Sequence, residues 1–105
     1  MDRRINQALK SLDENLDKKL TLKSVSEIFN LSGGYFSGLF KKEIGVCFSN
    51  YLTQLRIDKA KVLLKETSLS VKEVSYAVGY RCVSNFDHDF KRLVGLSPLE
   101  YRKRT

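Results

Sequence analysis

Apolar residues recur with helical spacing along almost the whole chain. Over residues 3–16, Ile5, Ala8, Leu9, Leu12 and Leu16 fall at i, i+3, i+4, i+7 and i+11, which gathers them on one helical face. Thr21 is an N-cap for a short second helix carrying Leu22, Val25, Ile28 and Phe29. Ser32 caps a third, with Phe36, Leu39, Phe40 and Ile44 inward and Gly45 as its stop. The longest periodic stretch, about 48–66, holds Tyr51, Leu52, Leu55, Ile57, Ala60, Leu63 and Leu64. Beyond the polar break at Thr67 and Ser68, Ser70 and Glu73 have the spacing of a capping box and open a helix that reaches about Val78. A further helix has Phe86, Phe90 and Val94 inward and Gly95 at its end. In the last, Ser97 caps, Pro98 takes the first helical position and Glu100 closes a second capping box. Seven helices and no strand pattern predict an all-α fold.

The chain also repeats itself. Phe36, Phe40, Lys41, Gly45 and Tyr51 recur 50 residues later as Phe86, Phe90, Lys91, Gly95 and Tyr101. Upstream the offset is 49, because Leu22, Val25 and Ser26 match Val71, Val74 and Ser75. The second copy therefore has one extra residue near its turn. Each copy reads as a helix-turn-helix: a small serine lets two helices cross closely, and the turn residue, Asn30 or Gly79, tolerates a left-handed backbone. One such pattern fits any pair of packed helices, but two in register are far more specific. The expected organisation is one domain over 1–105. Two homeodomain-like three-helical units, about 3–46 and 67–105, are bridged by a linker helix over 47–66.

Periodicity also says what faces outward. If Phe36, Leu39, Phe40 and Ile44 point inward, then Gly34, Ser37, Gly38 and Lys41 form the opposite stripe. The later helix exposes Ser84, Asp87, His88 and Lys91, each 50 residues on. Helices over about 32–44 and 82–94 would thus present matching stripes to base edges in a major groove, with basic residues near phosphates. Arg81, Asn85 and Arg92 join the second stripe as expected DNA contacts. The two copies differ in chemistry. Asp87 accepts from a cytosine amino group and His88 donates to guanine or phosphate, whereas glycines offer no side-chain readout, so the second copy is expected to carry more base specificity. Gly33, Gly34 and Gly38 each cost a helix about 1 kcal/mol relative to alanine. They fit either close backbone approach to DNA or a frayed, weakly specifying helix.

The composition agrees with a polyanionic partner. Nineteen Lys and Arg against twelve Asp and Glu leave a net charge of +7, which favours nucleic acid first and an acidic membrane second. No apolar run is long enough for a membrane span, and Met1, Asp2, Arg3 and Arg4 do not open a signal peptide, so a cytoplasmic protein with no membrane partner is expected. One histidine, two cysteines, no metal-ligand spacing and no phosphate-binding glycine loop leave no catalytic residue, metal or cofactor to name; an enzyme is not expected. Cys47 and Cys82 stand at helix N-caps, where a thiol caps poorly. A helix N-terminus and neighbouring Arg81 would lower the Cys82 pKa and open it to oxidation. The plainer expectation is a reduced, partly buried thiol. The Arg102, Lys103, Arg104 cluster is expected to be a solvated tail at a helix C-terminus, with a place along the phosphate backbone as the alternative.

The run Val74-Ser75-Tyr76-Ala77-Val78-Gly79-Tyr80, followed by Asn85-Phe86, Phe90-Lys91-Arg92, Gly95, Ser97-Pro98 and Tyr101-Arg102, resembles the signature of AraC/XylS-type bacterial transcription regulators. The resemblance extends from Leu22 to Arg102. It implies two helix-turn-helix subdomains joined by a long helix, with both recognition helices in successive major grooves of duplex DNA. It further implies a C-terminal domain of a longer protein, a sensor or receiver domain as its companion, and activation through RNA polymerase. Gly38 departs from the larger polar or basic residue common in the family. The competing readings are a protein-interaction module docking on polymerase or a sensor domain with weak DNA binding, and a non-specific architectural DNA binder.

Overall fold

The computed structural model describes residues 2–18 and 20–104. They form seven α-helices and no strand: α1 (Arg3–Glu14), α2 (Leu22–Ile28), α3 (Gly33–Ile44), α4 (Phe48–Glu66), α5 (Val71–Ala77), α6 (Val83–Val94) and α7 (Pro98–Lys103). The chain divides into two compact units, Met1–Leu52 and Thr53–Thr105.

The first unit buries Ile5, Ala8, Leu12 and Leu16 against Val25, Phe36, Phe40, Phe48 and Leu52. Its aromatic centre is a chain of ring contacts, in which Phe40 meets Phe48 edge-on and Tyr51 likewise, each at 5.5 Å between centroids. Helix α1 stops at Glu14, two residues before the periodic pattern does. Asn15 turns its amide back to the Ser11 carbonyl at 2.8 Å, and Leu16 is buried from outside the helix. Apolar spacing reports burial, and here burial outlasts the helical hydrogen bonding. In α2 the buried face is Val25 and Ser26, while Ile28 is 63% exposed. The i, i+3, i+4, i+7 series is Leu22, Val25, Ser26 and Phe29, and Ile28 lies off it.

The second unit repeats the plan. Ile57, Ala60 and Leu64 of α4 pack with Val74, Val78, Phe86 and Phe90, flanked by Leu63, Leu69, Val71, Tyr80, Val94 and Tyr101. Arg102 belongs to this structure and is not the solvated tail its neighbours suggest. Its Nε donates to the Leu64 carbonyl at 2.9 Å and its Nη2 to that of Thr67 at 3.3 Å, satisfying acceptors that the end of α4 leaves open.

Caps set the helix ends. Ser70 and Ser97 make the two expected capping boxes with Glu73 and Glu100, and Thr21 makes a third with Ser24. Gly45 and Gly95 end α3 and α6 in the left-handed region, at φ 93° and 89°. Cys82, by contrast, makes no side-chain capping hydrogen bond to a backbone N–H of α6, and its thiol lies instead 2.9 Å from the Ser84 hydroxyl. Cys82→Ser is therefore expected to stabilise the protein by about 0.5–1 kcal/mol, read as a melting temperature a few degrees higher. An unchanged or lower melting temperature would show that the thiol already does the work of a cap.

Candidate nucleic-acid interface

Each unit holds one tight helix pair built in the same way. Ser26 and Ser75 are buried where the helices cross, and each turns its hydroxyl onto its own helix, to the carbonyls of Lys23 and Lys72 at 3.0 and 2.8 Å. A small side chain with an internally satisfied hydroxyl is what a close crossing admits. The turns then close with the same bond. Leu31 N–H donates to the Ser26 carbonyl and Tyr80 N–H to that of Ser75, around Asn30 at φ 56° and Gly79 at φ 104°. The second turn is longer by one residue, and Arg81 is the insertion: Leu31 is followed at once by the N-cap Ser32, whereas Arg81 separates Tyr80 from the N-cap Cys82.

These turns deliver α3 and α6 with fixed faces. Phe36, Phe40, Phe86 and Phe90 are fully buried, so the opposite face of each helix is turned out. On α6, Ser84, Asn85, Asp87, His88, Lys91 and Arg92 are all exposed, as is Arg81 before it. On α3, Gly34, Gly38 and Lys41 are exposed and Ser37 is half-buried. Lys41 and Lys42 close α3, and Lys91 and Arg92 close α6, so each outward face is basic in its last turn.

Two residues of this surface escaped the periodicity argument. Tyr35, which the outward stripe of α3 left out, is 54% exposed, with the Arg4 guanidinium 5.8 Å from its ring centroid. Lys42 lines a shallow recess of about 370 Å³ with Gly34, Tyr35, Gly38 and Leu39. The repeat carries the signal for both, since they stand 50 residues before Asn85 and Arg92. A Cβ on Gly34 or Gly38 would meet nothing within 4 Å. The packing of this unit thus does not require glycine there.

Cys82 differs from the partly buried thiol expected of it. Cys82 is exposed, and Cys47 is half-buried. The Cys82 thiol is held below its ordinary pKa first by the Ser84 hydroxyl, at 2.9 Å, and then by the nearby backbone N–H groups of Asn85 and Ser84, rather than chiefly by the neighbouring Arg81. Among the described residues no group of His, Cys, Asp and Glu is arranged to hold a metal ion, and no helix is long and apolar enough to cross a membrane.

Comparison with known proteins matches residues 25–104 to a helix-turn-helix domain family. The melibiose operon regulatory protein of Escherichia coli strain K12 is 33% identical over 99 residues, which cover 94% of this chain and 33% of that protein. The chain thus spans about a third of the length of that relative. Among solved structures, the C-terminal domain of AraT, a response regulator from Geobacillus stearothermophilus, superposes with a TM-score of 0.96 at 34% identity, covering 99% of this chain and 87% of that one. The DNA-binding domain of AdpA, solved in complex with a target DNA, shares the fold with a TM-score of 0.92 at 24% identity, covering 96% and 91% of the two chains.

Proposed function

Because this chain belongs to the AraC-type helix-turn-helix family of transcription regulator domains, a class of DNA-binding domain and not of enzyme, we propose that it binds duplex DNA sequence-specifically through α3 and α6. The observation that carries this reading is the repeated hairpin. Each copy buries its phenylalanine pair and turns a stripe with basic residues in the last helical turn to solvent, in matching register. Each helix enters a major groove. Lys41, Lys42, Lys91, Arg92 and Arg81 reach phosphates, while Ser84, Asn85, Asp87 and His88 meet base edges. On α3, Gly34, Ser37 and Gly38 let the backbone itself come close. The AdpA domain, which shares the fold, is held on a target DNA in its own structure.

The whole protein is inferred to be cytoplasmic and to couple this domain to a sensor or receiver domain. The description of the AraT relative as part of a response regulator is consistent with that coupling, which ends in contact with RNA polymerase. Salt titration of duplex binding tests the reading. Six to ten phosphate contacts predict a log–log slope of about −5 to −9. A flat response would favour docking on a protein instead, for which the partly apolar recess on α3 is the supporting feature. A steep slope without preference among sequences would indicate an architectural DNA binder.

A further inference from the structure

The second hairpin contains a polar contact that the first lacks. Tyr80, in the turn, donates its hydroxyl to Asp89 Oδ2 on α6 at 2.8 Å. The matching positions in the first hairpin are Leu31 and Leu39, so two apolar side chains have been replaced by a phenol and a carboxylate. Tyr80 is well anchored. Its ring meets Phe86 edge-on at 5.3 Å between centroids, and the Arg56 guanidinium of α4 lies 6.0 Å from the ring centroid. Burial, and next the bond to Asp89, raise the phenol above its ordinary pKa, so it remains a donor at neutral pH.

The other oxygen of Asp89 meets an exposed cation. Its Oδ1 lies 3.5 Å from Arg92 Nη2, an ion pair whose arginine is 56% exposed and whose aspartate is 25% exposed. Arg92, with His88 and Lys91, lines a recess of about 250 Å³ on the outward face of α6. A chain of contacts therefore runs from the turn through a fixed carboxylate to an exposed guanidinium at a basic concavity. We propose that Tyr80 and Asp89 are positioning residues that hold Arg92 at this recess for a phosphate of the duplex backbone. An exposed arginine samples many rotamers, and ordering it on binding weakens affinity. Asp89 engages one nitrogen of the fork, which leaves the remaining donors open to a phosphate.

This inference rests on the duplex-binding reading, and a double-mutant cycle on duplex affinity separates the two. Tyr80→Phe keeps the ring packing and removes only the hydroxyl. It is expected to weaken duplex binding about two- to tenfold, the size of one side chain's ordering. In an Arg92→Ala background, which is itself weaker, the same change is expected to have no further effect. Equal losses in both backgrounds would assign Tyr80 to folding alone, and no loss in either, or wild-type affinity for Arg92→Ala, would also overturn the proposal. An Asp89→Asn cycle approaches the same bond from its other side. It is read for coupling to Arg92 only, because losing a negative charge favours a polyanion in both backgrounds, and melting curves confirm that each variant is folded at the assay temperature. If the wild-type protein shows no duplex binding, the functional reading fails first. If it binds and the cycle is additive, only the positioning role is lost.

Discussion

Phe86→Ala is expected to destabilise the second unit by about 3–5 kcal/mol, a large share of the 5–15 kcal/mol that holds a typical domain together. Phe86 is fully buried at the centre of that core, with Tyr80 at 5.3 Å and Phe90 at 5.7 Å between ring centroids. Removing it opens a cavity under α6 that neighbouring rings fill only in part, because α6 is also held by its contacts with α5 and α7. Leu93 on the same helix is 37% exposed, and Leu93→Ala is expected to cost well under that amount, about 1 kcal/mol or less. Thermal melts followed by far-ultraviolet circular dichroism compare the pair. Phe86→Ala is expected to melt more than about ten degrees below the wild type, with duplex binding lost alongside. Similar melting temperatures for the two variants would mean that the buried face of α6 has been misassigned.

The second large effect concerns the unequal chemistry of the two outward stripes. Gly38 and His88 stand at matching positions, both exposed, yet only His88 has a side chain able to discriminate bases. Gly38→Ala adds a Cβ into open space and removes a helix-interior glycine, so it is expected to raise stability by up to about 1 kcal/mol. Its effect on sequence preference should be small. His88→Ala is expected to leave stability within about 0.5 kcal/mol of wild type and to relax preference at one position by about 1–3 kcal/mol, roughly five- to 150-fold. Equal losses of preference from both changes would contradict the assignment of base readout chiefly to α6. A fall in affinity with Gly38→Ala at unchanged preference would instead identify close backbone approach as the role of the glycines.

Much of the fold is legible in the chain because its helix ends are written in local chemistry. Ser70 with Glu73, Ser97 with Pro98 and Glu100, and the glycines at 45 and 95 each satisfy or free backbone groups in ways that no distant residue has to supply. The repeat did the same for the site, since burial of Phe36 and Phe86 leaves only one face of each helix to solvent. What escaped the sequence depends on contacts between distant positions. Arg102 lies 38 residues from the carbonyl it caps, so a run of three cations resembles a solvated tail until α7 is seen beside the end of α4. Tyr80 and Asp89 are nine residues apart across a turn, a separation with no helical register. The Thr21 box closes through Ser24, not the glutamate or glutamine that marks such boxes in sequence.

Selection of binding sites from random duplex DNA by the wild-type protein tests the central claim most directly. If α3 and α6 both dock on one duplex, the enriched sites contain two short conserved blocks in an asymmetric arrangement, and the block that His88→Ala blurs is the more sharply defined. Enrichment of no sequence, or of sites left unchanged when Lys41, His88 and Lys91 are replaced together by alanine, would contradict it.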